Sequence, residues 1–261
     1  MAARAMWKGV IQFGTLELPV KLYSAAQDKS IRFRLLHKTD KAPVKQQLVS
    51  SRSGETVDYE EVRKAYPIDR GRMVILEDEE LEKLEPKDSR DIEITRFVSR
   101  TEVDPRWYDR PYYLGPDGNT KAYFAAAEAL ARKEKEGIAR WVMRDREYVG
   151  ALIQENGYLM LVTLRHAEEI IDASALKPPA GRELNKREID MAAQLIEALH
   201  GEFDPTQFRD EYRKRVMELI EAKAEGGKPK LKVFRPRAVQ DDKLDDALEA
   251  SLAKVKRKAR G

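Results

Sequence analysis

Asn156-Gly157 sits between two apolar runs, YVGALIQ ahead of it and YLMLVTL behind, and no other local feature restricts the fold as tightly. A two-residue hairpin loop needs positive φ at both central positions, which Asn and Gly adopt at least cost. The two runs therefore fold back on each other as antiparallel strands. Further segments carry the strand signature of β-branched and aromatic residues bounded by Gly, Pro and polar turns: GVIQF, LPVKLYSA, IRFRLLHK, RMVIL (72–76), DIEITRFVS (91–99) and IARWVMRD. In IRFRLLHK, alternation sets Ile31, Phe33 and Leu35 on one face and Arg32, Arg34 and Leu36 on the other. The polar stretch after it, TDKAPVKQQLVSSRSGE, reads as a long hairpin or loop. An acidic helix capped by Asp78 and carrying Leu81 and Leu84 is expected between RMVIL and DIEITRFVS, and PYYLGPDGN predicts a tight turn. Thr120 then caps a helix with Tyr123, Phe124, Ala127, Leu130 and Ala131 on one face and Gly137 just past its end. Most of residues 1–165 thus reads as a strand-rich core, and the fold class as α+β, mainly β.

The Pro pair in Lys177-Pro178-Pro179 separates these strands from two helical patterns. The first, about 183–200, aligns Ile189, Ala193, Ile196 and Leu199; the second starts at Asp204-Pro205 and aligns Phe208, Tyr212, Val216 and Leu219. GGKPKLKVFRPRAVQ has the Gly, Pro and basic composition of a flexible linker. Beyond it Leu244, Ala247, Leu248, Ser251, Leu252 and Val255 fall on one helical face. That stripe either docks back on the core or fits a groove on a partner. The organisation read from the chain is a core over 1–180, a helical arm over 181–225 and a basic tail over 226–261.

Charge is segregated along this plan. Residues 1–52 carry ten Lys/Arg against three acids and residues 226–261 carry eleven against five; taken from a whole-chain net of +3, that leaves −10 for 53–225. Two basic ends around an acidic middle are the footprint of a polyanion binder. Arg32 and Arg34, continued by Lys38, Lys41, Lys45 and Arg52, can follow a phosphate backbone, and Lys254, Lys256, Arg257, Lys258 and Arg260 form a second cationic group.

Several function classes drop out. The chain has no cysteine, which excludes thiol catalysis and thiolate metal sites, and its three histidines, His37, His166 and His200, have no metal-binding spacing. Glu77, Asp78, Glu79 and Glu80 are consecutive, so on a helix they point in different directions and read as a solvated face. Phosphate-binding glycine loops and a GxSxG elbow are absent. No apolar run approaches the roughly 18 residues of a membrane span, and no secretory signal opens the chain, so a cytoplasmic, nucleoid-associated location is expected. The expectation is a protein without catalytic site, metal, cofactor or small-molecule substrate.

Four segments together resemble a known family. AARAMWKGVIQFGTLELPVKLYSA, YPIDRGRMVILEDEELEKLEP, WYDRPYYLGPDGNTKAY and LDDALEASLAKVKRKA, in this order and spacing, are similar to bacterial Ku, the end-binding protein of non-homologous end joining. Gln12 and Glu17 depart from the opening pattern, where the family has Ser and Asn. The resemblance implies a Ku-type β-barrel core and a homodimer whose bridges, here about 34–56, close a ring around duplex DNA. It also implies a C-terminal arm over 183–222 that grips the partner copy, and a short C-terminal region that recruits the multifunctional ATP-dependent ligase of double-strand break repair. In this chain the ligase contact maps to Leu244, Leu248 and Leu252. The alternative is a dimeric scaffold whose DNA binding is confined to the basic tail.

Overall fold

The computed structural model describes residues 4–69, 71–87, 89–176, 185–226 and 248–253. The chain divides into two units, Met1–Asp172 and Ala173–Gly261.

The first unit is built on a closed barrel of seven strands: β1 (Trp7–Phe13), β2 (Leu16–Ser24), β5 (Asp91–Ser99), β6 (Tyr108–Pro116), β7 (Lys135–Val142), β8 (Glu147–Glu155) and β9 (Tyr158–Leu164), in the order β1-β2-β6-β9-β8-β7-β5. The seam between β5 and β1 is parallel, with Ile11 opposite Ile92. Closure leaves no free edge, so every strand finds two partners for its backbone groups. Alternate residues point inward: Leu18, Val20 and Leu22 from β2, Ile92 and Ile94 from β5, and Leu159 and Leu161 from β9 are all buried in one cluster. The hairpin at Asn156-Gly157 forms as expected, with φ of 50° and 83° and Glu155 opposite Tyr158.

One end of the barrel is stopped by a helix, α2 (Thr120–Lys133), whose Tyr123, Ala127 and Leu130 enter the core. Its Tyr123 hydroxyl donates to the carbonyl of Leu114 on β6 and accepts the N–H of Leu159 on β9 at 2.8 Å. Two glycines make room for tryptophans. A β-carbon on Gly9 would stand 2.3 Å from the Trp7 ring, and one on Gly150 would stand 2.7 Å from that of Trp141.

Between β2 and β5 the chain leaves the barrel. It forms a separate two-stranded sheet of β3 (Lys64–Asp69) and β4 (Arg72–Leu76) and a short helix, α1 (Asp78–Glu82). The run RMVIL is therefore a strand, but it pairs with a segment that the strand signature missed, KAYPID, and not with the barrel. IRFRLLHK forms no strand. It has only an isolated bridge, Leu36 to Pro43; of the expected apolar face Ile31 is half-buried, whereas Phe33 and Leu35 are about two-thirds exposed.

Local capping also differs from expectation. Asn119, not Thr120, caps α2 by accepting the Ala122 N–H at 3.1 Å, and the helix stops at Glu134 in a left-handed turn (φ 50°), three residues before Gly137. Glu77, not Asp78, caps α1, through a reciprocal capping box with Glu80. PYY lies inside β6, and the turn is confined to Asp117 and Gly118. Asp117 accepts both the Lys21 ammonium (2.6 Å) and the Lys8 ammonium (2.9 Å), and these bonds hold its carboxyl below the usual range.

The second unit contains α3 (Lys186–Ala198) and α4 (Glu211–Ala224), capped by Asn185 and Asp210. Asp204-Pro205 opens only a single 3-10 turn at Pro205–Gln207, so Phe208 precedes α4 instead of lying on it. The apolar stripe of α3 is largely uncovered, with Ile196 and Leu199 exposed, and Phe203 stacks on Phe208 with ring centroids 5.3 Å apart. Residues 248–253 are helical, and the Arg187 guanidinium meets Glu249 at 2.8 Å. Among the described residues no helix is long and apolar enough to cross a membrane.

Candidate nucleic-acid interface

Residues 25–90 form one excursion from the barrel, and none of its described residues is buried. Its first part is shaped by two small turns. In one, His37 N–H bonds to the Ala42 carbonyl (2.8 Å) and Val44 N–H to that of Leu35 (3.2 Å); in the other, Ser50 N–H bonds to Glu55 (2.9 Å) and Val57 N–H to Leu48 (2.9 Å). Asp40 organises the first turn by accepting the Ala42 N–H (3.0 Å) and pairing with His37 Nδ1 (2.8 Å), contacts that lower its pKa. Lys41 takes φ of 60° at the tip, and its ammonium donates to the Lys38 carbonyl at 2.6 Å. Gly54, at φ of 77°, supplies the same left-handed geometry in the second turn.

These turns display Lys38 and Lys41 on one tip and Arg52 on the other, with Lys45 between them. Arg34, Lys38, Lys45 and Arg52 make no ion pair among the described residues, whereas Arg32 stands 3.8 Å from Asp28. The second part of the excursion treats its cations differently. Arg63 meets Glu77 (3.4 Å), Lys64 meets Asp78 (2.8 Å) and Arg72 meets Asp69 (2.8 Å). The Lys64 to Asp78 bond raises the lysine pKa and lowers that of the aspartate. Positive charge is thus cancelled near the acidic helix and left open at the two turns. Open, exposed guanidinium and ammonium groups on a short extended stretch can hold successive phosphates without touching a base.

The same excursion exposes an apolar set that the sequence assigned to a core or did not single out: Phe33, Leu35, Val49, Tyr66, Ile68 and Met73 are each more than half exposed. Six uncovered apolar side chains on one excursion leave apolar area that a partner could bury. The sequence signal pointed the other way, since the alternation in IRFRLLHK reads as a strand with Phe33 and Leu35 on a packed face.

Of the other residues expected to act, Leu248 and Leu252 lie on the helical stretch 248–253 and are half-buried. Leu244, Lys254, Lys256, Arg257 and Lys258 lie outside the described residues. Among the described residues no three His, Asp or Glu side chains converge as a metal site.

A family model for the Ku70/Ku80 beta-barrel domain matches residues 12–191. The non-homologous end joining protein Ku of Koribacter versatilis is 40% identical over 260 residues, covering 99% of this chain and 89% of its own length. That of Anaeromyxobacter sp. is 39% identical over 258 residues (98% and 87%), and the non-homologous end joining protein Ku 2 of Geotalea uraniireducens is 37% identical over 258 residues (98% and 100%).

Proposed function

Because the chain belongs to the Ku family of bacterial non-homologous end joining proteins, we propose that it acts on broken DNA as a homodimeric ring. Two copies close around double-stranded DNA, which threads in from an end, and the tail beyond residue 226 brings the ATP-dependent ligase of the pathway to it. The observation that carries this reading is the 25–90 excursion, which has open cations at its two turns and an apolar surface that one protomer leaves bare.

The physical logic is that a repair factor must accept any sequence. Arg34, Lys38, Lys45 and Arg52, with Arg32 and Lys41 beside them, hold phosphates by charge, and Arg adds two-pronged contacts. Burying Phe33, Leu35, Tyr66 and Met73 against the second copy stabilises the closed form, because apolar area leaves water there. Topology then supplies end recognition: a closed ring slides along the duplex and cannot leave sideways. Recruitment falls to the apolar stripe Leu244, Leu248 and Leu252, and Lys254, Lys256, Arg257 and Lys258 add phosphate contacts beside it. The core 1–180 and arm 181–225 would hold the ring.

A gel-shift comparison of linear duplex with covalently closed circles of the same sequence tests the reading. Tight binding to the linear form, weak binding to circles and a steep loss with salt are expected; equal binding to both forms would overturn it.

A further inference from the structure

Apart from the excursion, a cleft of about 570 Å³ opens at the end of the barrel opposite α2, where β1 and β5 begin and the β7–β8 turn closes; Trp7, Lys8, Ser89, Arg90, Arg144 and Asp145 line it. We propose that this cleft binds a phosphorylated nucleoside, with Arg90 and Arg144 on the phosphate and the Trp7 indole as a wall for the base. The proposal deepens the reading above where the nucleotide is the terminal one of a DNA end.

The charges in the cleft are unequal in availability. Lys8 is committed to Asp117 at 2.9 Å and Ser89 Oγ donates to Asp91 at 3.1 Å. Arg90 and Arg144 are exposed and make no ion pair or side-chain hydrogen bond among the described residues. Among the described residues that line the cleft, Arg90 and Arg144 stand against one carboxylate, that of Asp145, and two open guanidinium groups select an anion that accepts several donors, as a phosphate monoester does.

Both arginines are held by backbone. The Arg90 carbonyl accepts the Val10 N–H at 2.8 Å, which fixes the root of the excursion to β1. Arg144 and Asp145 form the two-residue turn between β7 and β8, at φ of 53° and 60°, closed by Met143 N–H to the Arg146 carbonyl at 3.0 Å. Left-handed geometry at both central positions favours Asn and Gly, so an arginine there is a residue the turn itself does not ask for. Backbone strain at the residue that lines a cleft points to a use for its side chain.

Trp7 supplies the flat surface. Its ring closes over Gly9, where any β-carbon would meet it at 2.3 Å, so the indole is fixed with the cleft beside it. An indole wall, two donors for phosphate and a volume within the range of small-ligand sites together match one nucleotide. A base paired inside a continuous duplex cannot enter such a cleft; a frayed or overhanging terminal nucleotide can, and so can a free one.

Calorimetric titration of the full chain with deoxyadenosine monophosphate, deoxyadenosine and inorganic phosphate tests the site. The monophosphate should bind at least about tenfold more tightly than either fragment, and Arg90→Gln and Arg144→Gly should each weaken it about tenfold or more. Arg144→Gly should at the same time raise the melting temperature by about 1–3 °C, because Gly relieves the left-handed position. That opposite movement of binding and stability separates a ligand contact from a structural role. Absence of monophosphate binding at millimolar concentration, or binding untouched by both substitutions, overturns the proposal.

A second arm compares linear duplexes that carry an overhanging terminal nucleotide with and without its 5′-phosphate. If the phosphate strengthens binding and the gain vanishes in Arg144→Gly, the DNA end is the source of the ligand. If it has no effect while the free monophosphate still binds through the arginines, a free nucleotide is. Loss of any preference for linear over circular DNA in the unsubstituted protein would overturn the ring reading while the titration still decides the cleft.

Discussion

Tyr123→Phe removes one oxygen from a side chain that is 1% exposed, and its consequence can be worked from the bonds around it. The hydroxyl joins three elements: it lies on α2, donates to Leu114 on β6 and accepts from Leu159 on β9. Leu114 and Leu159 form the last pair of the β6–β9 ladder, so the bond fastens the helical stopper to the seam where that ladder ends. Phe fills the same volume and leaves the core packed. What changes is that the Leu159 N–H, buried, loses its acceptor, at a cost of about 1–3 kcal/mol. Taking about 2 kcal/mol, the melting temperature of a folded unit of this size should fall by about 4–8 °C. Thermal unfolding followed by tryptophan fluorescence would measure it. Tyr158→Phe is the control, since that ring is half exposed and should move the midpoint by less than about 1 °C. DNA binding at low temperature should be unchanged, because α2 stops the end of the barrel away from the excursion. A fall of under about 1 °C for Tyr123→Phe would refute the claim that this hydroxyl ties the helix to the barrel.

Gly9→Ala should destabilise by about 2 kcal/mol or more, since the new carbon would stand 2.3 Å from the Trp7 ring and 2.7 Å from the Arg90 carbonyl; chemical denaturation would show it, and a neutral result would mean that the indole moves freely. Burial raises the Tyr123 pKa, and burial together with the hydrogen bond to Glu136 raises that of Tyr108. Both groups ionise near pH 10 in the unfolded chain, so the stability they carry is complete below about pH 10 and is lost as pH climbs through their higher folded values. Melting curves between pH 9 and 11.5 should show that loss, and it should shrink in the Tyr108→Phe, Tyr123→Phe double variant. Replacing Lys38, Lys41, Lys45 and Arg52 together with Gln should flatten the salt dependence of DNA binding by about 3–4 in logarithmic slope per protomer if each holds one phosphate; an unchanged slope would place the DNA elsewhere. Deleting 226–261 should abolish ligase stimulation and preserve end binding, whereas loss of both would favour a scaffold that binds DNA through its tail.

The barrel was legible because its signals are local. Asn156-Gly157 dictates a turn, and β2 and β5 show plain alternation of buried and exposed residues, which short-range sterics and period two are enough to reveal. The excursion was legible in charge and illegible in shape. IRFRLLHK has the alternation of a strand, but a strand exists only where another pairs along it, and among the described residues it gains a single bridge, Leu36 to Pro43. KAYPID was missed for the converse reason: the proline and acid that spoil its pattern are tolerated in a two-stranded sheet exposed on both faces. Arg90 and Arg144 stand far apart in sequence, one before a strand and one in a turn whose residues give no hint of left-handed geometry, so their convergence on Trp7 is visible only after the barrel closes. The caps erred by one residue for an ordinary reason, since Asn119 and Thr120 are both good cap residues and the chain direction leaving the turn decides between them.

The parallel seam has a mechanical consequence. The excursion departs from the end of β2 and returns at the start of β5, and β1 alone lies between those two strands, so its roots are about 10 Å apart on one rim. Residues 25–90 are therefore a clasp hinged twice on the same rigid edge. Tension on it passes into β2, held by seven pairs with β1 and five with β6, and into β5, held by three parallel pairs with β1 and seven antiparallel pairs with β7. A single proteolytic cut near Arg52 would leave every barrel strand paired and both fragments attached, yet it would turn an unbroken strap into two free arms. On the proposed ring reading, such a nicked protein would keep its melting behaviour and its charge while forfeiting its hold on a duplex that can slip out between the arms.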